Sequence, residues 1–229
     1  MFSRFQWRPF RACGKAVSFG IGLHSKCILC FVKYKNLTIL VKSTLFMFYK
    51  NCLLIATPDM EGSIFDRSVI LMCEHDENGA MGLIINKESS ISVKELAGMF
   101  PLIAKQKKNF LTGGPVNQDE VWVLHDLVSA SDVRKTVNEH LYLTSNPSFL
   151  KSISKAQLDF QFIQFFLGYS GWAAGQLESE IARGSWITSP YNHEIVCKLP
   201  LEKRWSRALY LLGEDYACMA HKPKNADMN

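Results

Sequence analysis

The chain has 229 residues, about half of them apolar, and a formal net charge of +5. That length and composition exclude a disordered or fibrous class and suit one globular domain with an appendage, burying roughly 70% of its unfolded surface without disulfides or a metal. The charge is unevenly spread: residues 1–50 hold nine Lys and Arg and no Asp or Glu, leaving a net −4 for residues 51–229, so the global basicity is no argument for nucleic-acid binding.

Residues 1–46 read as a basic extension, rich in Phe, Lys, Arg and Ser. Lys26, Lys33, Lys35 and Lys42 interrupt every apolar stretch before it reaches the ~18–20 residues of a membrane span. Three readings stand: a functional start at Met47, an organellar transit peptide suggested by the acid-free composition, or a signal segment, which lacks a clean small-residue cleavage site. The seven cysteines (13, 27, 30, 52, 73, 197 and 218) are odd in number and irregularly spaced. This favours a reducing compartment over a disulfide framework. Cys27-Ile-Leu-Cys30 has CxxC spacing but neither a second pair for zinc nor a βαβ context.

From Cys52 the pattern is that of a packed domain. Cys52–Thr57 is a buried strand stopped by Pro58. A central hairpin spans Arg67–Lys87: the apolar runs Val69–Cys73 and Met81–Ile85 flank a polar turn, Glu74–Gly79, signalled by Asn78-Gly79. Both runs are apolar throughout rather than alternating, so both faces of this pair are expected to be covered. Ser92–Phe100 carries a capping box, Ser92 with Glu95, and an apolar helical face. A basic loop (105–109), a strand Phe110–Thr112, the break Gly113-Gly114-Pro115 and strands Val121–His125 and Leu141–Thr144 follow. A second capped helix is read from Ser145 or Asn146 through Ile153.

Phe160–Leu167 is an aromatic strand, Gly168–Gly175 a glycine-rich turn, and Ala173–Arg183 a short helix ended by Gly184. Trp186–Thr188 and Glu194–Cys197 read as strands. Leu201–Leu212 is an amphipathic helix with Trp205, Leu209 and Leu212 inward, capped by Gly213. A polar tail covers 221–229. Strands and helices do not alternate regularly, so the order is α+β rather than a doubly wound parallel sheet.

Several stretches offer chemistry beside a simpler reading. Gly168-Tyr-Ser-Gly-Trp172 lies where a nucleophile elbow would, but its second glycine is one residue early for G-x-S-x-G around Ser170. The simpler reading is a tight turn, with Tyr169 and Trp172 anchoring the helix. Gly113 and Gly114 fit an anion-binding nest or a plain two-glycine turn. Glu74-His75-Asp76-Glu77 holds metal-capable groups, but successive strand residues point to opposite faces and cannot all converge. A His75/His125 site would require two strand ends to meet. Glu178 and Glu180 suit the first turns of a helix through its dipole. No phosphate-loop or dinucleotide fingerprint occurs, and no cofactor or metal is expected.

Taken in order, Leu53-Leu-Ile-Ala-Thr-Pro58, Phe65-Asp-Arg-Ser-Val69, Cys73-Glu-His75, Gly79-Ala-Met-Gly-Leu-Ile-Ile-Asn86, Gly113-Gly-Pro-Val116, Leu124-His125, Leu167-Gly-Tyr-Ser-Gly-Trp172, Gly175-Gln-Leu-Glu-Ser-Glu180 and Arg204-Trp205 resemble the bacterial YqgE/AlgH family. The resemblance covers roughly Met47 to Ala220. It implies a single domain over 47–220 whose bifurcated, mostly antiparallel sheet folds into a pseudo-barrel with flanking helices, in a cytosolic protein, and a start near Met47. This chain departs from the family at Glu61-Gly62, at Ala173-Ala174 and at its ending, His221-Lys222-Pro223. Some members carry a transcriptional-regulator label, but no helix-turn-helix pattern or basic face supports direct DNA binding here.

The reading that results is a non-catalytic binding or regulatory module for a protein or a small anionic ligand. Its expected surface gathers the Gly113-Gly114 turn, the Gly168–Gly175 turn and the hairpin tip. Tyr169 and Trp172 supply aromatic contact there, with Glu74, His75, Asn86 and Gln176 as polar groups. The alternatives are a hydrolase using His75 or His125 as base with Ser170 or a metal, and a transcriptional regulator.

Overall fold

The computed structural model describes residues 48–90, 110–127, 135–145 and 161–221, together with the backbone of 7–12, 15–24, 27–34 and 37–42. The chain divides into two compact units, Met1–Met47 and Phe48–Asn229. The first carries an antiparallel meander of β1 (Trp7–Ala12), β2 (Lys15–His24), β3 (Cys27–Tyr34) and β4 (Leu37–Lys42).

The second unit is built on a nine-stranded, mostly antiparallel sheet curled into a half-barrel with a few helices, an α+β fold. Its strands are β5 (Cys52–Ala56), β6 (Val69–Asp76), β7 (Gly79–Ile84), β8 (Leu111–Thr112), β9 (Val116–His125), β10 (Lys135–Thr136), β11 (Tyr142–Thr144), β12 (Ile163–Ala173) and β13 (Trp186–Pro190). The order is β10-β11-β9-β12-β7-β6-β5-β13, with β8 parallel to β12. The helices are α1 (Gln176–Ala182), α2 (Leu201–Leu212) and the short α3 (Glu214–Ala217).

The uniformly apolar runs of β5, β6 and β7 are explained by cover on both faces. Leu53, Ile55, Val69, Leu71, Leu83 and Ile85 pack on one side with Trp122, Leu143, Phe166, Trp205 and Leu209. Leu54, Ala56, Ile70, Met72 and Ile84 pack on the other with Trp172, Leu177 and Trp186. Strand alternation sends neighbours to opposite cores, and α2 and α1 seal them. Helix α2 is fixed at the ends of the central strands: Trp205 Nε1 donates to the Ala56 carbonyl at 2.9 Å, and the buried Arg204 donates to Ile85 O at 2.6 Å and Leu199 O at 3.0 Å. Burial lowers the Arg204 pKa to about 10.

Strand β12 bifurcates the sheet. Its first part pairs β9 from Ile163↔His125 to Tyr169↔Val116, and its last part pairs β7 from Ser170↔Gly82 to Ala173↔Gly79 on the other edge. The stretch Gly168–Trp172, expected as a turn between strand and helix, is thus strand. Gly168 (φ +64) sits at a register shift that bends the strand without ending it. The helix after it is correspondingly shorter, starting at Gln176. Glu194–Cys197, expected as a strand, is instead a wide helical turn over Glu194–Lys198. Asn192 Oδ1 accepts the Ile195 N–H there at 3.0 Å, a local bond that competes with extended structure. Strand β6 runs to Asp76, so the hairpin loop is only Glu77-Asn78 rather than Glu74–Gly79. The helices expected over 92–100 and 145–153, the basic loop 105–109 and most of the 221–229 tail lie outside the described residues.

The half-barrel is fastened across its gap by side chains. Lys135 Nζ on β10 meets Glu74 Oε2 on β6 at 2.6 Å, and Asn138 Nδ2 donates to Asn51 Oδ1 at 3.0 Å. Among the described residues no helix is long and apolar enough to cross a membrane.

Candidate functional site

The glycine pair between β8 and β9 has a topological task. Phe166 and Leu167 of β12 pair β8 on one edge and β9 on the other, so residues 113–115 must carry the chain across β12. The crossing is backbone on backbone. A Cβ on Gly113 would lie 2.1 Å from the Gly168 carbonyl oxygen, and one on Gly114 2.3 Å from the Tyr169 carbonyl. The Gly113 N–H donates to Leu167 O at 2.8 Å, and its carbonyl accepts from the Ile84 N–H at 2.9 Å. Both glycines are buried, and the Gly113 donor of the expected anion nest is already committed.

Ser170, also buried, donates from Oγ to the Gly113 carbonyl at 3.1 Å, so it fastens this crossing instead of facing a base. A β-bulge decides where His75 goes. The register slips between Met72 and Glu74, which leaves Glu74 facing with its partner Met81 and turns His75, opposite Ala80, to the α1 side. The Tyr49 N–H donates to His75 Nδ1 at 2.8 Å, so Nε2 carries the proton and donates to Glu178 Oε1 at 3.0 Å. Tyr49 stacks on the imidazole at 5.5 Å between centroids. Burial, then the nearby Glu178 carboxylate, raises the Tyr49 phenol pKa.

His125 is fully buried and accepts the Leu127 N–H at 3.2 Å. The serine–histidine contact that the hydrolase reading requires is not formed: Ser170 is bonded to a main-chain carbonyl. No cluster of three or more His, Cys, Asp or Glu among the described residues is arranged to hold a metal.

Asn86 lies at the opposite end of the hairpin from Glu74. Its Oδ1 accepts the Val69 N–H and its Nδ2 donates to Arg67 O, both at 2.8 Å. It thereby holds Arg67 in the left-handed region (φ +50), a conformation that costs a non-glycine residue about 1–2 kcal/mol. Gln176 caps the end of β12: its Oε1 accepts the Ala173 N–H at 3.0 Å and its Nε2 donates to Glu180 Oε1 at 2.9 Å.

Glu180 is the hub that sequence reasoning missed. Its Oε2 accepts the indole N–H groups of both Trp172 and Trp186 at 2.8 Å. Burial is the largest single influence and would raise its pKa. The hydrogen bonds from Trp186, Gln176 and Trp172, with Arg183 nearby, together outweigh it and hold the carboxyl below its ordinary value. The legible signal was the i, i+4 pair Gln176–Glu180.

Of the expected residues, Glu74, Tyr169 and Trp172 come together. They line an open groove of about 520 Å³ at the hairpin tip, with Asp76, Met81, Glu120, Trp122, Lys135 and Gly171 among its walls. Trp122 and Tyr169 meet edge to face at 6.1 Å. Lys135 sits 5.9 Å from the Trp122 ring centre while pairing with Glu74. Three carboxylates against one ammonium leave the lining acidic. His75, Asn86, Gly113, Gly114 and Gln176 are not in the lining; they position its walls or act elsewhere.

Known proteins share this fold and sequence. The AlgH-like family model (DUF179) matches residues 53–217. A UPF0301 protein of Stenotrophomonas maltophilia (strain K279a) is 39% identical over 167 residues, spanning 71% of this chain and 88% of that one. A UPF0301 protein of Chlamydia caviae is 36% identical over 180 residues, spanning 79% and 95%. The solution structure of the AlgH protein from Pseudomonas aeruginosa has a TM-score of 0.64 at 30% identity, covering 81% of this chain and 100% of that one. A Corynebacterium diphtheriae crystal structure, 23% identical with a TM-score of 0.62, covers 76% and 92% and shares the fold alone.

Proposed function

We propose that this chain, which belongs to the AlgH-like family, is a non-catalytic binding or regulatory module that engages a protein partner through the groove at the hairpin tip. The observation that carries this reading is the convergence of Glu74 from β6, Trp122 from β9, Lys135 from β10 and Tyr169 from β12 on one open groove. The half-buried Tyr169 ring is the aromatic surface a partner would meet there, and a rigid ring gives contact area at low entropic cost. The groups an enzyme would need are occupied structurally: Ser170 by the Gly113 carbonyl, and His75 by Tyr49 and Glu178.

The three carboxylates in the lining favour a protein over a small anion, and they would repel a nucleic-acid backbone. The free cysteines Cys52, Cys73, Cys197 and Cys218 suit a cytosolic setting. The test is photo-crosslinking in cells with a benzophenone side chain at Asn78, which lines the groove, and at the exposed Ile64 as control. A distinct adduct from position 78 alone is expected. Identical adducts from both positions, or none from 78, would refute the reading.

A further inference from the structure

The groove has a backbone as well as side chains. Ala173 turns its N–H away from β7 to the Gln176 amide. Strand alternation then turns the N–H and C=O of Gly171, two residues earlier, the same way. On that edge the ladder to β9 has already ended at Tyr169↔Val116, so among the described residues Gly171 has no strand beside it. It is exposed, and it lines the groove. Having no side chain, Gly171 lets the Tyr169 ring lie close against its backbone: a Cβ there would stand 3.2 Å from that ring and 3.7 Å from Val116.

Lys135 supplies the second observation. Its ammonium is seated in this same lining by an ion pair with Glu74 and by the face of Trp122. The groove therefore holds a cation by carboxylate and ring together. Asp76 and Glu120 exceed what Lys135 neutralises. Among the described residues the Asp76 carboxylate accepts the local Asn78 N–H, and Glu120 a long 3.5 Å contact from Asn117.

The geometry points to an extended, basic peptide segment as the occupant. Its backbone pairs with Gly171 along the free end of β12, and a Lys or Arg side chain lies between Asp76, Glu120 and the Trp122–Tyr169 rings. This is strand addition at a short protected edge, with main-chain bonds giving affinity and alternate side chains giving selectivity. The inference rests on the groove being the partner site and specifies what kind of partner fills it.

The test is fluorescence anisotropy of the full chain with three labelled peptides: Val-Lys-Val-Lys-Val, its Ser-for-Lys counterpart, and the Lys peptide N-methylated at alternate amides. The Lys peptide should bind, more weakly as salt rises, and the other two should bind at least roughly tenfold more weakly. Gly171→Leu, which puts a side chain against the Tyr169 ring, should abolish binding. If that variant unfolds earlier than wild type, the Asp76→Asn/Glu120→Gln pair, one exposed and one half-buried carboxylate, should lower affinity without touching the core. Failure of the Lys peptide to bind overturns the proposal. Equal binding of the N-methylated peptide overturns strand pairing. Either result can coexist with a specific crosslink from position 78, so it is distinguishable from failure of the groove as a partner site.

Discussion

Replacing Glu180 with alanine should be among the most damaging changes at a partly exposed position. One carboxylate oxygen accepts two indole N–H groups at 2.8 Å, and both Trp172 and Trp186 are buried. A hydrogen bond to a charged acceptor contributes about 1.5–3 kcal/mol, and a buried donor left unsatisfied costs about 1–3 kcal/mol. Two indoles lose their acceptor together, while the half-buried site lets water recover part of the loss. We expect Glu180→Ala to destabilise by about 2–5 kcal/mol. For a domain of this size that lowers Tm by about 5–15 °C. Glu180→Gln keeps one carbonyl acceptor and should lose about half as much. Urea titration followed by far-UV circular dichroism measures this without depending on tryptophan emission, and an unchanged m-value confirms that the same transition is compared. A loss below about 0.5 kcal/mol for the alanine variant would refute the argument, because it would mean water satisfies both indoles as well as the carboxylate does.

The remaining predictions concern the same packing and its latches. Trp172→Ala, which empties part of the core under α1, should destabilise by about 3–5 kcal/mol in the same urea titration; wild-type stability would place the ring outside the core. Asn86→Ala removes the side-chain acceptor of the Val69 N–H and a donor to the Arg67 carbonyl. It should lose about 2–4 kcal/mol, with hydrogen exchange accelerated first at the start of β6; uniform exchange would contradict a local latch. The folded-state pKa of Glu180 is lowered, so its contribution is fully present above the ordinary carboxylate range and is lost as pH falls through the folded value. The acid limb of a stability–pH curve should therefore be shallower in Glu180→Gln, and superimposable limbs would show that other carboxylates dominate it.

Much of the fold was legible because simple patterns governed it. The β6–β7 hairpin announced two-sided burial through its unbroken apolar runs, and α2 announced itself by one apolar stripe ending at Gly213, whose φ of +116° suits the stop. Where reading failed, a long-range contact had overridden a local rule. The glycines around Tyr169 looked like a turn because glycine weakens strands, yet Gly113, Gly114 and Gly168 are there so that one backbone can ride over another, which only the pairing of β8 and β9 on opposite edges of β12 reveals. The expected surface separated for the same reason. Glu74 and His75 are neighbours in sequence, but they serve the groove and the α1 packing respectively. Asn86 sits at the far end of the same hairpin. Glu178 and Glu180 looked like ordinary dipole-complementing acids because their partners, His75, Trp172 and Trp186, are brought to them only by the folded sheet.

The dual pairing of β12 also sets when the protein can exist. During synthesis β5, β6, β7 and β9 leave the ribosome long before residues 163–173, and among the described strands it is β12 that joins β7 to β9. The edge strand β13 closes on β5 later still, across more than half the chain. A nascent polypeptide stopped short of β12 would carry two unfinished sheet fragments with open edges, the state most prone to wrong pairing. Folding dominated by such distant contacts is slow. Truncations before Ala173 should therefore yield aggregation-prone chains rather than smaller stable domains, and native structure should become detectable on stalled ribosomes only after β12 has cleared the exit tunnel.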